Sequence, residues 1–251
     1  MIRFSDIPSD SFLGRYLRSC LAVVPTGWRV PILQGPLRGT RWIVGAQTHG
    51  MWLGTYEVDK QLAIAKTLKP GQVFYDIGAN TGFFSLLGAK RVGKTGKVIA
   101  VEPLPRNIGF IKEHARINNV TNITVSEIAI SDYDGVGRFS VEGDSTSRIS
   151  EDGGLEVRVK TLDTLVRELG AIPDVVKVDI EGAEMKLVQG AVKTLEMYKP
   201  TIFMAIHSED IYRGLSRMLP DMGYTMRHVD DTEIKESYCS EVLLVPGGND
   251  T

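Results

Sequence analysis

The chain has 251 residues, 43% hydrophobic and 24% charged, with a formal net charge of −2 at pH 7. That length suffices for one well-buried α/β core, and the near balance of charge excludes bulk electrostatic attraction to nucleic acid or to an anionic membrane. The two cysteines, Cys20 and Cys239, lie far apart without metal-ligand spacing and no apolar run reaches membrane-spanning length, so reduced thiols and a cytoplasmic location are expected.

Phe12, Leu13, Tyr16, Leu17, Cys20 and Leu21 recur at helical spacing with Arg15 and Arg18 between them, which predicts a helix packed on the main domain. A membrane-surface or partner helix is the alternative for this stretch. Short β-type runs at 31–33 and 40–44, punctuated by Gly35, Gly39 and Gly45, predict a hairpin. Residues 1–54 are thus expected to form a helix-and-hairpin extension, a lid or wall, ahead of one domain over 55–251. A helix follows with Val58, Leu62, Ile64, Ala65 and Leu68 apolar, stopped by Lys69, Pro70 and Gly71.

The stretch 73–85 then reads as strand, tight turn and helix. Gly78 and Gly82 lack a Cβ, so the backbone there can take positive φ and lie against a ligand, while Asp76 stands at the carboxyl edge of the strand. Dinucleotide loops of the G-x-G-x-x-G type rest a pyrophosphate on a helix N-terminus, and a carboxylate at the head of the loop would repel that anion. The loop here is D-x-G-x-N-x-G, formed by Asp76, Gly78, Asn80 and Gly82. It suits a ligand with a cationic amino-acid end, and S-adenosylmethionine (SAM) carries both an ammonium and a sulfonium. A second strand at 97–101 ends in Glu102, the position from which an acidic residue accepts both ribose hydroxyls of an adenosine.

Residues 105–119 form a helix with Ile108, Ile111, Ala115 and Ile117 as expected buried positions, and 124–130 alternate into a third strand closed by Ser131 and Asp132. Residues 135–141 and 155–159 form an added hairpin, joined by a polar loop over 143–148 that is free to move over a substrate. A short helix at 161–169 precedes the fourth strand, 174–179, which leads into the block Lys177-x-Asp179-x-Glu181-Gly182-x-Glu184 and one amphipathic helix to Leu195. A fifth strand at 201–206 ends in His207; a helix over 211–221 and strands at 224–229 and 242–245 complete the chain. The count predicts a three-layer Rossmann-like α/β fold: a mostly parallel seven-stranded sheet with its last strand reversed.

Tyr56-Glu57, the Asp76 to Gly82 loop, Glu102-Pro103-Leu104-Pro105, Asn118, Ala129, the block 177–184 and His207 occur here in one order and spacing. In these motifs, over residues 50–210, the chain resembles the FkbM family of SAM-dependent methyltransferases, class I and Rossmann-like. The resemblance implies O-methylation of hydroxyls on sugars, glycans or natural products. It puts Asp76, Gly78, Asn80 and Gly82 at the methionine end of SAM with Glu57 touching the same end, Glu102 on the ribose, and Ala129 near the adenine. Asp179 and Glu181 would line the pocket of methyl transfer. One departure is that the family often carries a Glu two residues before the His, where this chain has Ala205.

Transfer from a sulfonium to oxygen is an in-line displacement, so the protein must align two atoms and relieve the hydroxyl of its proton. His207 is the preferred base, its ordinary pKa lying near working pH; Asp179 and Glu181 serve if burial raises theirs. No resident metal is expected, although the oxygen and imidazole donors of Asp179, Glu181 and His207 suit a divalent ion. Bland roles compete: Asp179 as a helix cap, Glu181 and Glu184 as acids at a helix start, His207 as a hydrogen-bonded strand end. A small-molecule or glycan acceptor is the expected partner. An RNA or other nucleic-acid methyltransferase is the alternative, weakened because residues 179–182 lack the N/D-P-P-Y type of base-stacking sequence, and a non-catalytic SAM-binding domain is the third reading.

Overall fold

Strands rich in Val, Ile and Phe, buried on both faces, build the centre of the molecule. The computed structural model describes residues 11, 21, 23–142, 146–149 and 154–247. The expected helix through Phe12, Leu13, Tyr16, Leu17 and Cys20 lies outside these residues, as does part of the polar loop, 143–145. The main sheet has seven strands in the order β12 (Tyr224–His228), β13 (Glu241–Pro246), β11 (Thr201–Ala205), β10 (Val175–Val178), β3 (Val73–Ile77), β4 (Lys97–Val101) and β5 (Ile123–Ser126). Every pairing from β11 to β5 is parallel, whereas β13 runs antiparallel to both β11 and β12.

The period of two along each strand divides the core between the two faces. Tyr75, Ile77, Val176, Val178, Ile202 and Met204 face one cluster, closed by Leu162, Leu165, Leu187, Leu195 and Leu215 from the covering helices. Phe74, Val175, Phe203 and Leu243 face the other, closed by Ile64, Phe83, Leu87 and by Ile32, Leu37 and Trp42 of the N-terminal region. The result is helix, sheet, helix, with the carboxyl ends of β3, β4, β10 and β11 on one edge.

Several expectations need correction. The single strand expected over 124–130 is two. β5 ends at Ser126, and β6 (Ala129–Ile130) leaves the edge of the main sheet to pair in parallel with β9 (Leu155–Lys160) of a second sheet. That sheet also holds β7 (Gly135–Glu142) and β8 (Thr146–Ile149), so residues 146–148 of the expected loop are strand, paired antiparallel with β7. The one helix expected from Glu184 to Leu195 is broken into Glu184–Gln189 and Val192–Tyr198. At the break a Cβ on Gly190 would come 2.3 Å from Ser131 O, so the two backbones meet where only glycine fits. A helix at His49–Leu53 was not expected. The N-terminal hairpin pairs β1 (Arg29–Pro31) with β2 (Arg41–Ile43), two residues earlier on its first strand than the run at 31–33.

In the helix Pro105–Ile117, Ile108 and Ile111 are buried as expected, but Ala115 and Ile117 are only half-buried, and Asn107 and His114 share the inner face. His114 is fully buried and ties three parts together. Its Nε2 accepts the Ile43 N–H at 3.1 Å, its Nδ1 stands 2.8 Å from Thr81 O, and its ring stacks on Trp42 at 3.9 Å. Since a backbone N–H can only donate, Nε2 is the acceptor and Nδ1 carries the proton. Burial holds this imidazole down, at a pKa of about 4.

Candidate active site

The loop after β3 follows from two backbone approaches. Gly78 has φ +72, and a Cβ there would lie 1.8 Å from Asp179 O, so the loop lies backbone to backbone against the end of β10. Gly82 has φ +90 and caps the helix Phe83–Val92, with room for a Cβ limited by Ile111 Cγ1 at 3.1 Å. Between them Asn80 takes φ 50, a left-handed conformation that Asn tolerates better than most residues. Its N–H donates to Glu102 Oε2 at 2.8 Å. The other oxygen of Glu102 accepts from Leu104 N–H at 3.0 Å and from Asn107 Nδ2 at 3.2 Å. Glu102 is 4% exposed, and burial pushes its carboxyl up to about 7 although all three hydrogen bonds pull the other way.

Three of the expected cofactor residues, Glu57, Asp76 and Gly82, do not line the cavity; Gly82 serves as the start of the helix Phe83–Val92. Asp76 is wholly buried behind the loop and does not line the cavity; Ser85 Oγ donates to it at 2.6 Å and Lys177 Nζ lies 3.4 Å away. The reason is the period of two along β3: Asp76 points to the same face as Phe74, toward the helix that carries Ser85. Lys177, equally buried, donates to Gly78 O at 2.7 Å. Asp76 is thus the counter-ion of the lysine that pins the glycine loop. Glu57 caps the helix Val58–Thr67 with φ 42 and turns its carboxylate to Lys60, 2.7 Å away, while its neighbour Tyr56 lines the cavity. Lys60 also meets Glu241 at 2.8 Å. Burial lowers the pKa of Lys60, but the carboxylates of Glu57, Glu241 and Asp179 more than offset this and leave it raised. Glu241 is the register partner of Ala205, so a neighbouring strand brings a carboxylate to the level at which the family motif has its Glu.

The ends of β10 and β11 bring Asp179, Glu181 and His207 together. His207 Nε2 lies 3.5 Å from Asp179 Oδ1 and 3.5 Å from Glu181 Oε2, and its Nδ1 is 2.7 Å from Glu184 Oε1. Glu184 is wholly buried and also accepts the Gly182 N–H at 3.0 Å. The hydrogen bond to Glu184 is the main reason the imidazole pKa is raised above its ordinary value. Glu181 holds φ 50, a left-handed backbone for a side chain with no local reason to prefer it.

One cavity of about 440 Å³ joins these parts. Gly78, Asn80 and Glu102 line one side, Ile128, Ala129 and Phe139 another, and Asp179 and Glu181 a third. Gln47, Thr48 and Met51 of the N-terminal region also line it, whereas His207 reaches it only through the two carboxylates. Tyr56, Lys177 and Asn107 were missed as site residues from sequence. Tyr56 belongs to the Tyr56-Glu57 motif and Lys177 opens the block 177–184, so a signal existed for both; Asn107 carried none.

The strand order with one reversed strand, and a ligand-sized cavity at the carboxyl edge over a glycine loop, define a class I Rossmann-like methyltransferase fold. Residues 76–231 match the methyltransferase FkbM domain, and the chain belongs to that family of SAM-dependent methyltransferases. The solved structure of methyltransferase FkbM from Methylobacillus flagellatus KT superposes with a TM-score of 0.51 at 18% identity, covering 78% of this chain and 52% of that one. Among curated proteins, ribosomal RNA large subunit methyltransferase E of Lawsonia intracellularis is 33% identical over 79 residues, 28% of this chain and 38% of that protein. Uncharacterized protein MJ1452 of Methanocaldococcus jannaschii is 25% identical over 151 residues, 59% of this chain and 52% of that protein. The chain thus matches about half or less of the length of these relatives. Among the described residues, no helix is long and apolar enough to cross a membrane.

Proposed function

We propose that the chain transfers a methyl group from SAM to a hydroxyl oxygen of a sugar, a glycan or a natural-product small molecule. The observation that carries this reading is the continuity of one cavity from Glu102 and the glycine loop to Asp179 and Glu181. Its volume falls in the range of small-molecule sites, about 300–1,000 Å³. The residues suit SAM: apolar walls at Ile128, Ala129 and Phe139 for the adenine, the buried Glu102 acceptor for the ribose, and Gly78 and Asn80 for the methionine end, with Gly82 closing the loop behind them. Glu57 and Asp76 act on this end indirectly, Glu57 through Lys60 and Asp76 through Lys177.

SAM supplies an electrophilic methyl on sulfur. Asp179 and Glu181 orient the acceptor hydroxyl, and the oxygen must lie in line with the methyl–sulfur bond. The hydroxyl proton leaves toward the Asp179, Glu181 and His207 group, in which Glu184 fixes the imidazole. Tyr56, Phe83 and Phe84 line the cavity with aromatic surface that excludes water from the transfer.

The 79-residue likeness to a ribosomal RNA methyltransferase favours RNA as a second reading of the acceptor. Both are tested by incubating the protein with methyl-labelled SAM and separate pools of sugars, glycans, small hydroxylated metabolites and RNA, and identifying the labelled product by mass. A labelled methyl ether on a hydroxyl of the first three pools is expected. Label in RNA alone selects the second reading, and tight S-adenosylhomocysteine binding with no label in any pool selects a non-catalytic domain.

A further inference from the structure

We propose that Asp179, Glu181 and His207 form a divalent-cation site beside the cavity, whose ion takes the acceptor hydroxyl; that last role rests on the methyltransferase reading above. The three side chains offer one ligand atom each, all within 4.8 Å of one another. Ligands about 2.1 Å from a common ion sit about 3.0 Å apart at an octahedral right angle and about 3.4 Å apart at a tetrahedral angle. The two distances from His207 Nε2, both 3.5 Å, are close to that spacing and too long to be good hydrogen bonds.

The proton arrangement points the same way. Glu184 is wholly buried, and its Oε1, already taking the Gly182 N–H, receives His207 Nδ1 at 2.7 Å. With the Nδ1 proton donated to Glu184, His207 holds Nε2 toward two carboxylate oxygens, so a cation that takes the place of the Nε2 proton meets three acceptors. A cation in their midst satisfies all three. A carboxylate that fixes the far nitrogen of an imidazole is the arrangement that aims metal-binding histidines. Glu184 also keeps its second oxygen, Oε2, buried and without a hydrogen-bond partner among the described residues. The local charge is negative: Asp179, Glu181 and Glu184 bring three carboxylates to His207, and Lys177, 3.9 Å from Asp179, is already engaged with Asp76 and Gly78.

Two carboxylates and one imidazole suit an ion at home with both donor types, of which Mn²⁺ is the convenient probe. Asp179 and Glu181 line the cavity, so the remaining positions of the ion open toward the acceptor. With the ion bound, His207 is a ligand, and direct proton acceptance by this group is replaced: the ion lowers the pKa of the hydroxyl, whose proton passes to water as the oxygen–methyl bond forms and the sulfur–methyl bond breaks.

The test is a Mn²⁺ titration of the chelator-stripped full chain, followed by the electron paramagnetic resonance of free Mn²⁺, with S-adenosylhomocysteine binding measured in parallel. One Mn²⁺ per chain is expected. Asp179→Asn and His207→Gln should each weaken it at least about tenfold, and Glu184→Gln, a positioning residue, about 10- to 100-fold while cooperative thermal unfolding persists. If Asp179→Asn fails to fold, His207→Gln decides, because that side chain is 30% exposed. S-adenosylhomocysteine binding with no uptake of Mn²⁺, Mg²⁺ or Zn²⁺, or Mn²⁺ binding that survives the ligand substitutions, overturns the site. Mn²⁺ binding lost in the variants together with no S-adenosylhomocysteine binding supports the site and rejects the methyltransferase reading instead.

Discussion

Glu102→Gln tests the electrostatics of the cavity before any ligand is added. Burial holds this carboxyl at about 7 against an ordinary 4.5, so across that interval the folded protein keeps a proton that the unfolded chain has lost. The folded state binds more protons there, and linkage makes stability fall as pH rises through the window. For a shift of this size the fall is about 2.5 kcal/mol from about pH 5 to about pH 8. His114 acts with the opposite sign: its pKa drops from 6.5 to about 4 on folding, so its contribution is present above 6.5 and lost as pH falls toward 4. In the native protein the two slopes oppose each other over most of their range. Gln at position 102 abolishes one of them, and stability should then climb more steeply with pH. The amide also presents a donor to a site that supplies three donors, which adds a penalty of about 1–3 kcal/mol at every pH. Only the pH dependence is therefore diagnostic. Urea unfolding of both proteins, followed by tryptophan fluorescence at a series of pH values, gives the difference in free energy directly. Native minus variant should shrink by about 2.5 kcal/mol between about pH 5 and about pH 8; parallel curves would refute a protonated Glu102 in the ligand-free protein.

The complementary variant, His114→Gln, should lose the acid slope, so that native minus variant grows by about 3 kcal/mol between about pH 4 and about pH 7 in the same assay; a constant difference would mean that His114 is not held neutral. Lys177→Met leaves Asp76 buried with Ser85 alone and should cost about 3–5 kcal/mol of stability, much of it recovered by adding Asp76→Asn. Simple additivity of the two substitutions in denaturant unfolding would contradict a coupled pair. Gly78→Ala demands a φ of +72 and places a methyl 1.8 Å from Asp179 O, so it should lower stability by about 2 kcal/mol or more and weaken S-adenosylhomocysteine binding in calorimetry. Native affinity and stability in that variant would show that the loop and β10 are not packed as described.

Local pattern was enough for much of this molecule. The β-branched runs of β3, β4, β10 and β11 and the helical spacing between them were legible because period two and period 3.6 belong to the chain itself. Gly78 and Gly82 were legible as positive-φ positions because glycine alone adopts them without strain. The cluster of Asp179, Glu181 and His207 was foreseeable in outline, since the first two follow β10 and the third follows β11 at the same edge. The direction in which a charged side chain points was not: Asp76 and Glu57 carry the right chemistry, yet their carboxylates turn to Lys177 and Lys60, partners 101 and three positions away in sequence.

Tertiary contact decided the rest. The break at Gly190 exists because Ser131, 59 residues earlier, presses its carbonyl there, and the split at Ser126 because a second sheet competes for the chain. His114 looked like one more residue on an apolar helix face, and only the meeting of Ile43, Thr81 and Trp42 made it a neutral buried clamp. Periodicity and backbone preference are properties of neighbours in sequence, so the chain alone determined its strands, helices and turns. Burial, charge pairing and protonation depend on groups that meet only on folding, and these decided which acids face the cavity and which hold it in shape.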